Sequence, residues 1–210
     1  MSRVIPMERA DFDSRLRART AALEEVELGH LRMFAHSPDV ALAWLEFIGG
    51  VNDGSSLSRR LIELVRLRIA FHNQCPHCMA VRFEAGVSDG EGISEALVCS
   101  LEKPEEATDL DDRERAALVY ADRTATNHFA VDDETFAMLR KHFSEREIVE
   151  LGVFIAIFVG FGRLSAGWQY TDDLPERYQH TTPGGLRFAD DALLMPVHHK
   201  EPQLTVQVPV

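Results

Sequence analysis

Apolar residues along this chain recur mostly every three or four positions, the period of helices buried on one side. Between residues 21 and 35 they fall at Leu23, Val26, Leu28, Leu31 and Phe34, which predicts one helix. Ser37-Pro38 interrupts it and opens a second helix over 38–48 that carries Trp44 and Phe47. Gly49-Gly50 and the polar run 52–56 read as a loop. Further helices are expected over 57–72, 75–85, 93–101, 113–126 and 132–142, with a turn at Asn73-Gln74, a polar break over 86–92 and an acidic loop over 103–112. Ser144 and Glu147 have the spacing of a capping box, in which each side chain satisfies the other's backbone N–H. The helix they open runs to about Trp168 and is apolar nearly all round from Leu151 to Leu164, so it is placed in the core. Phe154, Phe158 and Phe161 are expected there as core residues, and Gly152, Gly160, Gly162 and Gly167 would let neighbouring helices come close.

Strand alternation is absent, so the fold class is all-α, with a helical domain over 1–173. Residues 174–210 lose the helical period and are rich in proline, with Gly184-Gly185 among them. They read as an extended tail that packs on the body or on a neighbouring subunit. His198-His199 in this tail is expected to be solvated. A late helix apolar on every side, beside a long tail, points to a homo-oligomer.

Composition narrows the function. Hydrophobic residues make up 45% of the 210 and charged residues 27%, ordinary values for a globular domain. A net charge of -12 disfavours nucleic acid and anionic membrane as partners, since both need clustered positive charge. The uncharged run from Leu151 to Gly162 is too short to span a bilayer, and no signal or transit peptide is evident, so a cytoplasmic protein is expected.

In that reducing compartment the pair Cys75-Pro76-His77-Cys78 suggests redox chemistry. Proline is favoured at the first position of a helix, which makes Cys75 an N-cap and places Cys78 in the first turn. Free N–H groups and the helix dipole there favour a thiolate, the nucleophilic form of sulfur. A structural zinc site needs four ligands, and His72, His77 and the two thiols crowd too closely for a tetrahedral shell, so no metal is expected. Cys99 reads as a small core residue.

Glu63, the twelve-residue spacing to Cys75 and the C-x-x-C pair together resemble the active-site signature of the AhpD-like (carboxymuconolactone decarboxylase) superfamily. The likeness extends over about 20–170, through His36-Ser-Pro-Asp39 with Trp44, the segments 63–68 and 114–122, and the run from His142 to Leu151. It implies an all-helical fold, trimers or hexamers, and the thiol-peroxidase branch. Cys78 would attack a small peroxide, Cys75 would resolve the sulfenic acid to a disulfide, and Glu63 would help relay protons. A dithiol protein or small thiol would restore the pair, and no cofactor is required. One position departs from the pattern: Arg82 stands where the family has a histidine. Arginine cannot act as a base, but its fixed charge would favour a thiolate. If the two helices fold back on each other at residues 73–74, Glu63 and Arg82 lie at similar heights and are expected to pair. His77, and after it His72, then remain as candidate bases. A lactone-acid decarboxylase using Glu63 or a histidine, and a non-catalytic oligomeric binding protein, are the competing readings.

Overall fold

A computed structural model describes residues 2–83, 92–171, 174–179, 184–189 and 193–195. The short α1 (Ser14–Arg19), α2 (Glu25–Leu28) and α3 (Leu31–Phe34) lead into α4 (Pro38–Gly54), α5 (Arg59–Asn73) and the five-residue α6 (Pro76–Ala80). After β1 (Val81–Phe83) come α7 (Glu95–Ser100), α8 (Asp112–Thr126), α9 (Asp133–Leu139), the long α10 (Glu145–Trp168), α11 (Glu176–Gln179) and β2 (Leu193–Met195). The all-helical expectation holds, with one departure: β1 and β2 form a two-stranded parallel pair, Val81 opposite Leu193.

The capping box expected at Ser144 and Glu147 forms. Ser58, Ser94, Asp111, Asp132 and Ser144 each accept an N–H from the first turn of the helix they cap. Among the boundaries that differ, three matter here. The single helix expected over 21–35 is split, because Gly29 has φ +42°, a conformation that ends α2 and that residues with a Cβ rarely adopt. By contrast α4 continues through Gly49, Gly50 and Asn52 to Gly54, so those residues do not form a loop. The cysteine helix stops at Ala80 instead of reaching 85 and passes into β1.

The core is built on α5, which packs against both α8 and α10. Every residue from Leu61 to Ala70 is buried, including Glu63, Arg66 and Arg68. Three charges survive burial because each is paired: Glu63 with Arg66 at 2.6 Å, and Arg68 with Asp122 at 2.6 Å. The expectation that α10 would be core on all sides is corrected. Leu151, Phe154 and Ile155 are buried, but Val149 (66% exposed), Val153, Phe161 and Leu164 face outward. By length and composition α10 could cross a membrane, at mean hydropathy 1.9; here its inner face packs on α5. Cys99 is exposed, which corrects its placement in the core. Leu174, Tyr178, Leu186 and Phe188 of the C-terminal segment join the main core, whereas His198 and His199 lie outside the described residues. A second cluster of Phe12, Leu16, Leu28, Ala35 and Ala41 seats the N-terminal helices.

Candidate active site

The end of α5 sets the site. Gln74 takes the left-handed conformation (φ +48°) that turns the chain sharply into α6. Cys75 caps α6, its sulfur accepting the Cys78 N–H at 3.2 Å, and Pro76 occupies the first helical position. The two cysteines form a disulfide, with Cα atoms 5.2 Å apart. They are not equivalent. Cys75 is 0% exposed, whereas Cys78 is only partly buried.

Glu63 and Arg82 do not form the expected pair. Glu63 instead holds Arg66, three residues on, through two bonds of 2.6 and 2.7 Å, and also accepts the Phe83 N–H at 3.1 Å. Arg66 reaches across to the cysteine helix and donates to the carbonyls of Cys78 (2.8 Å) and Val81 (2.7 Å). Arg82, 2% exposed, makes a bidentate pair with Glu95 at 3.1 Å, donates to the Met79 carbonyl at 2.7 Å, and lies over the Phe188 ring. The reason is the break at Ala80. A continuous helix to 85 would hold Arg82 level with Glu63, but the extended Val81–Phe83 segment swings it toward α7. Arg82 thus ties the end of α6 to α7, and the Glu95 carboxylate offsets its charge. Arg82→Ala is expected to lower stability by about 2–3 kcal/mol, because the carbonyls lose their donor and Glu95 its partner. A urea melt unchanged by this substitution would show that the bonds contribute nothing.

His77 packs edge-on against His30 (ring centroids 4.3 Å) and stacks on Tyr170 (5.6 Å). A Cβ at Gly29 would come within 3.2 Å of His77 Nε2, so the glycine also makes room for this ring. His30 Nε2 is hydrogen-bonded to Ser165 Oγ. That hydroxyl lies 3.2 Å from Cys75 Sγ and 3.9 Å from Cys78 Sγ. His72 takes no part in this group; its Nε2 bonds Asp122 at 2.7 Å beside Arg68. Sequence reasoning missed both His30 and Ser165. They stand 135 positions apart, so no local spacing could join them.

Burial pushes the His30 imidazole down to about 4 from its usual 6.5. It pushes His77 well below that usual value, with His30 and Arg66 adding to the effect. Both rings are neutral at pH 7. In the unfolded chain they would titrate near 6.5, so below that pH the unfolded state binds protons that the folded state refuses. Stability is therefore expected to fall as pH drops from 6.5 toward 4, seen as a lower urea midpoint at pH 5 than at pH 7. A midpoint that rises over this range would mean that the folded protein binds the protons.

An apolar groove of about 620 Å³ lies on the neighbouring flank of α10, lined in part by Phe34, Trp44, Phe161, Leu164 and Trp168. Phe161 belongs to this groove, 3.8 Å from Trp44 between ring centroids, whereas Phe154 is core. Among the described residues no group of three or more His, Cys, Asp or Glu side chains is placed to hold a metal ion.

Residues 38–123 match the model of the carboxymuconolactone decarboxylase family. The matched span contains Glu63, Cys75, Cys78 and Arg82, so the resemblance seen in the motif holds. No curated protein matches the sequence significantly. Among solved structures, similarity extends to a protein of unknown function from Agrobacterium tumefaciens, described there as a candidate antioxidant-defence protein AhpD. It is 27% identical, with TM-score 0.58, over 68% of this chain and 96% of that one. An uncharacterised peroxidase-related protein from Ralstonia eutropha, with an alkylhydroperoxidase AhpD core, aligns at 19% identity and TM-score 0.62, over 85% of this chain and 94% of that one. The debrominase Bmp8 aligns at 19% identity and TM-score 0.66, over 84% and 94% respectively. At 19% identity the last two show a shared fold.

Proposed function

We propose that the protein is a thiol-dependent, peroxidase-like oxidoreductase that cycles Cys75 and Cys78 between dithiol and disulfide. The observation that carries this reading is the asymmetric disulfide at the start of α6, one sulfur sealed and the other reachable. A nucleophile that must meet a small peroxide has to be the reachable one, Cys78. Its thiolate attacks the O–O bond, taking one oxygen as a sulfenic acid and releasing an alcohol or water. Cys75 then displaces the hydroxyl to form the disulfide, and an external dithiol reduces it by exchange. The Cys78 N–H at the start of α6 goes to Cys75 Sγ, so what the attacking sulfur gains there is the dipole of that first turn.

Glu63 serves this cycle as a positioning residue. Both its oxygens are occupied by Arg66 and the Phe83 N–H, and through Arg66 it anchors the carbonyls of Cys78 and Val81. The same occupancy counts against a decarboxylase that uses Glu63 as an open base. A reducing cytoplasm suits a cycle that depends on thiol reductants. The test is a coupled assay with tert-butyl hydroperoxide and a dithiol reductant. Hydroperoxide-dependent oxidation of the reductant, with Cys75–Cys78 as the oxidised form, is expected. A reduced protein that neither consumes the hydroperoxide nor closes the disulfide would overturn the reading.

The exposed apolar side chains of α10 and α4 favour a homo-oligomer, a trimer or hexamer on the pattern of the superfamily. Val40 is 59% and Phe47 49% exposed, beside Val149, Val153 and Leu164. Val40 and Leu164 line the apolar groove described above, and contiguous exposed apolar surface marks an interaction site. Light scattering at micromolar concentration is expected to give a multiple of 23.6 kDa; a single-chain mass would refute it.

A further inference from the structure

Cys75 has a proton problem that Cys78 does not. Its sulfur must lose a proton to close the disulfide and regain one when the disulfide opens, yet the residue has no exposure to solvent. The polar side-chain atom beside it is Ser165 Oγ, at 3.2 Å, on a residue that is itself buried. The same oxygen is hydrogen-bonded to His30 Nε2, and His30 retains some contact with the surface. We propose that Ser165 and His30 form a proton relay serving the buried Cys75 thiol, Ser165 as the hydroxyl touching the reacting sulfur and His30 acting through it. This rests on the thiol-cycle reading above.

The chemistry balances in both directions. On oxidation, the Cys75 S–H gives its proton to Ser165 Oγ while the Ser165 O–H passes its own to His30 Nε2, which carries the lone pair in the Nδ1–H tautomer, and His30, a weak base here, hands the proton on to solvent. The Cys75 electron pair forms the S–S bond, the Cys78 S–O bond breaks, and the departing hydroxide takes up a proton to leave as water. On reduction, an external thiolate attacks Cys78, the S–S electron pair returns to Cys75, and the proton path runs backward from His30 through Ser165. The relay does for Cys75 what the arginine at position 82, held by Glu95, cannot do for either sulfur. His77 and Tyr170 pack around His30 with ring centroids 4.3 and 5.9 Å away and keep its imidazole in place against Ser165.

The experiment follows the opening of the oxidised chain by dithiothreitol, a step that involves no peroxide, using acid quench, alkylation and intact mass. Wild type is compared with Ser165→Ala, Ser165→Thr and His30→Gln, each in H₂O and D₂O. Ser165→Ala is expected to slow reduction about 10²-fold, in line with loss of a general acid–base step. It should also lose the solvent isotope effect of the wild type. Ser165→Thr, which keeps the hydroxyl, should recover most of the rate, and His30→Gln should fall between. Reduction of Ser165→Ala at the wild-type rate, or with the isotope effect intact, would overturn the relay. If Ser165→Ala does not fold, the wild type decides alone, because absence of a solvent isotope effect on reduction also overturns it. A wild type that ignores hydroperoxide yet shows this signature with dithiothreitol would refute the peroxidase reading and support the relay.

Discussion

Cys78→Ser is expected to abolish peroxide turnover, by roughly 10⁴-fold or more, as loss of a covalent nucleophile does. Cys75→Ser is expected to fail differently, consuming one equivalent of peroxide and stopping at a Cys78 sulfenic acid that dimedone can trap. The difference comes from burial. Cys75 is sealed beneath Ser165 and cannot meet an external oxidant, whereas Cys78 is partly open. Both variants should be made in a Cys99→Ser background, because that exposed thiol could react by itself and obscure the mass of the trapped species. Intact mass after a single pulse of hydrogen peroxide separates the cases. A dimedone adduct on Cys75 in the Cys78→Ser protein, with none on Cys78 in the Cys75→Ser protein, would reverse the two roles.

Glu63→Ala is expected to be the most destabilising single change at the site. The carboxylate and Arg66 are 3% and 9% exposed, so removing one leaves the other charge buried without its partner. Such breaks cost about 3–5 kcal/mol. For a chain of this size that corresponds to a fall in melting temperature of about 6–20 °C. The Phe83 N–H also loses its acceptor, and Arg66 is freed to drift from the carbonyls of Cys78 and Val81. Glu63→Gln should be milder, since the amide oxygen can still accept one bond from Arg66 or Phe83. If Glu63→Ala instead keeps the wild-type melting temperature and loses only turnover, the carboxylate takes part in the chemistry and the anchoring role is wrong.

The contrast between Glu63 and Ser165 shows what was legible in the sequence. Glu63 and Arg66 are three residues apart on one helix, so their pairing was open to inspection. A cysteine helix running to residue 85 would put Arg82 level with Glu63, and the break at Ala80 gives each of them a different partner. Composition could not place that boundary, since the short strand at Val81–Phe83 exists by pairing with Leu193–Met195, more than a hundred residues later.

What the sequence determined by itself was local. Caps at Ser144 and at Cys75-Pro76 are short-range hydrogen bonds between neighbours, and a C-x-x-C pair closes within one helical turn. The helical period likewise fixed the all-helical class. What only the tertiary structure decided was which helix is central and which groups meet at the sulfurs. α5 carries charges that a hydropathy pattern reads as surface, and it is buried because each charge finds a partner. α10 reads as core on every side, yet one helix can bury only as much of its circumference as its neighbours cover. Ser165 reaches Cys75 and His30 reaches Ser165 across 90 and 135 positions of sequence, and proximity of that kind is created by packing alone.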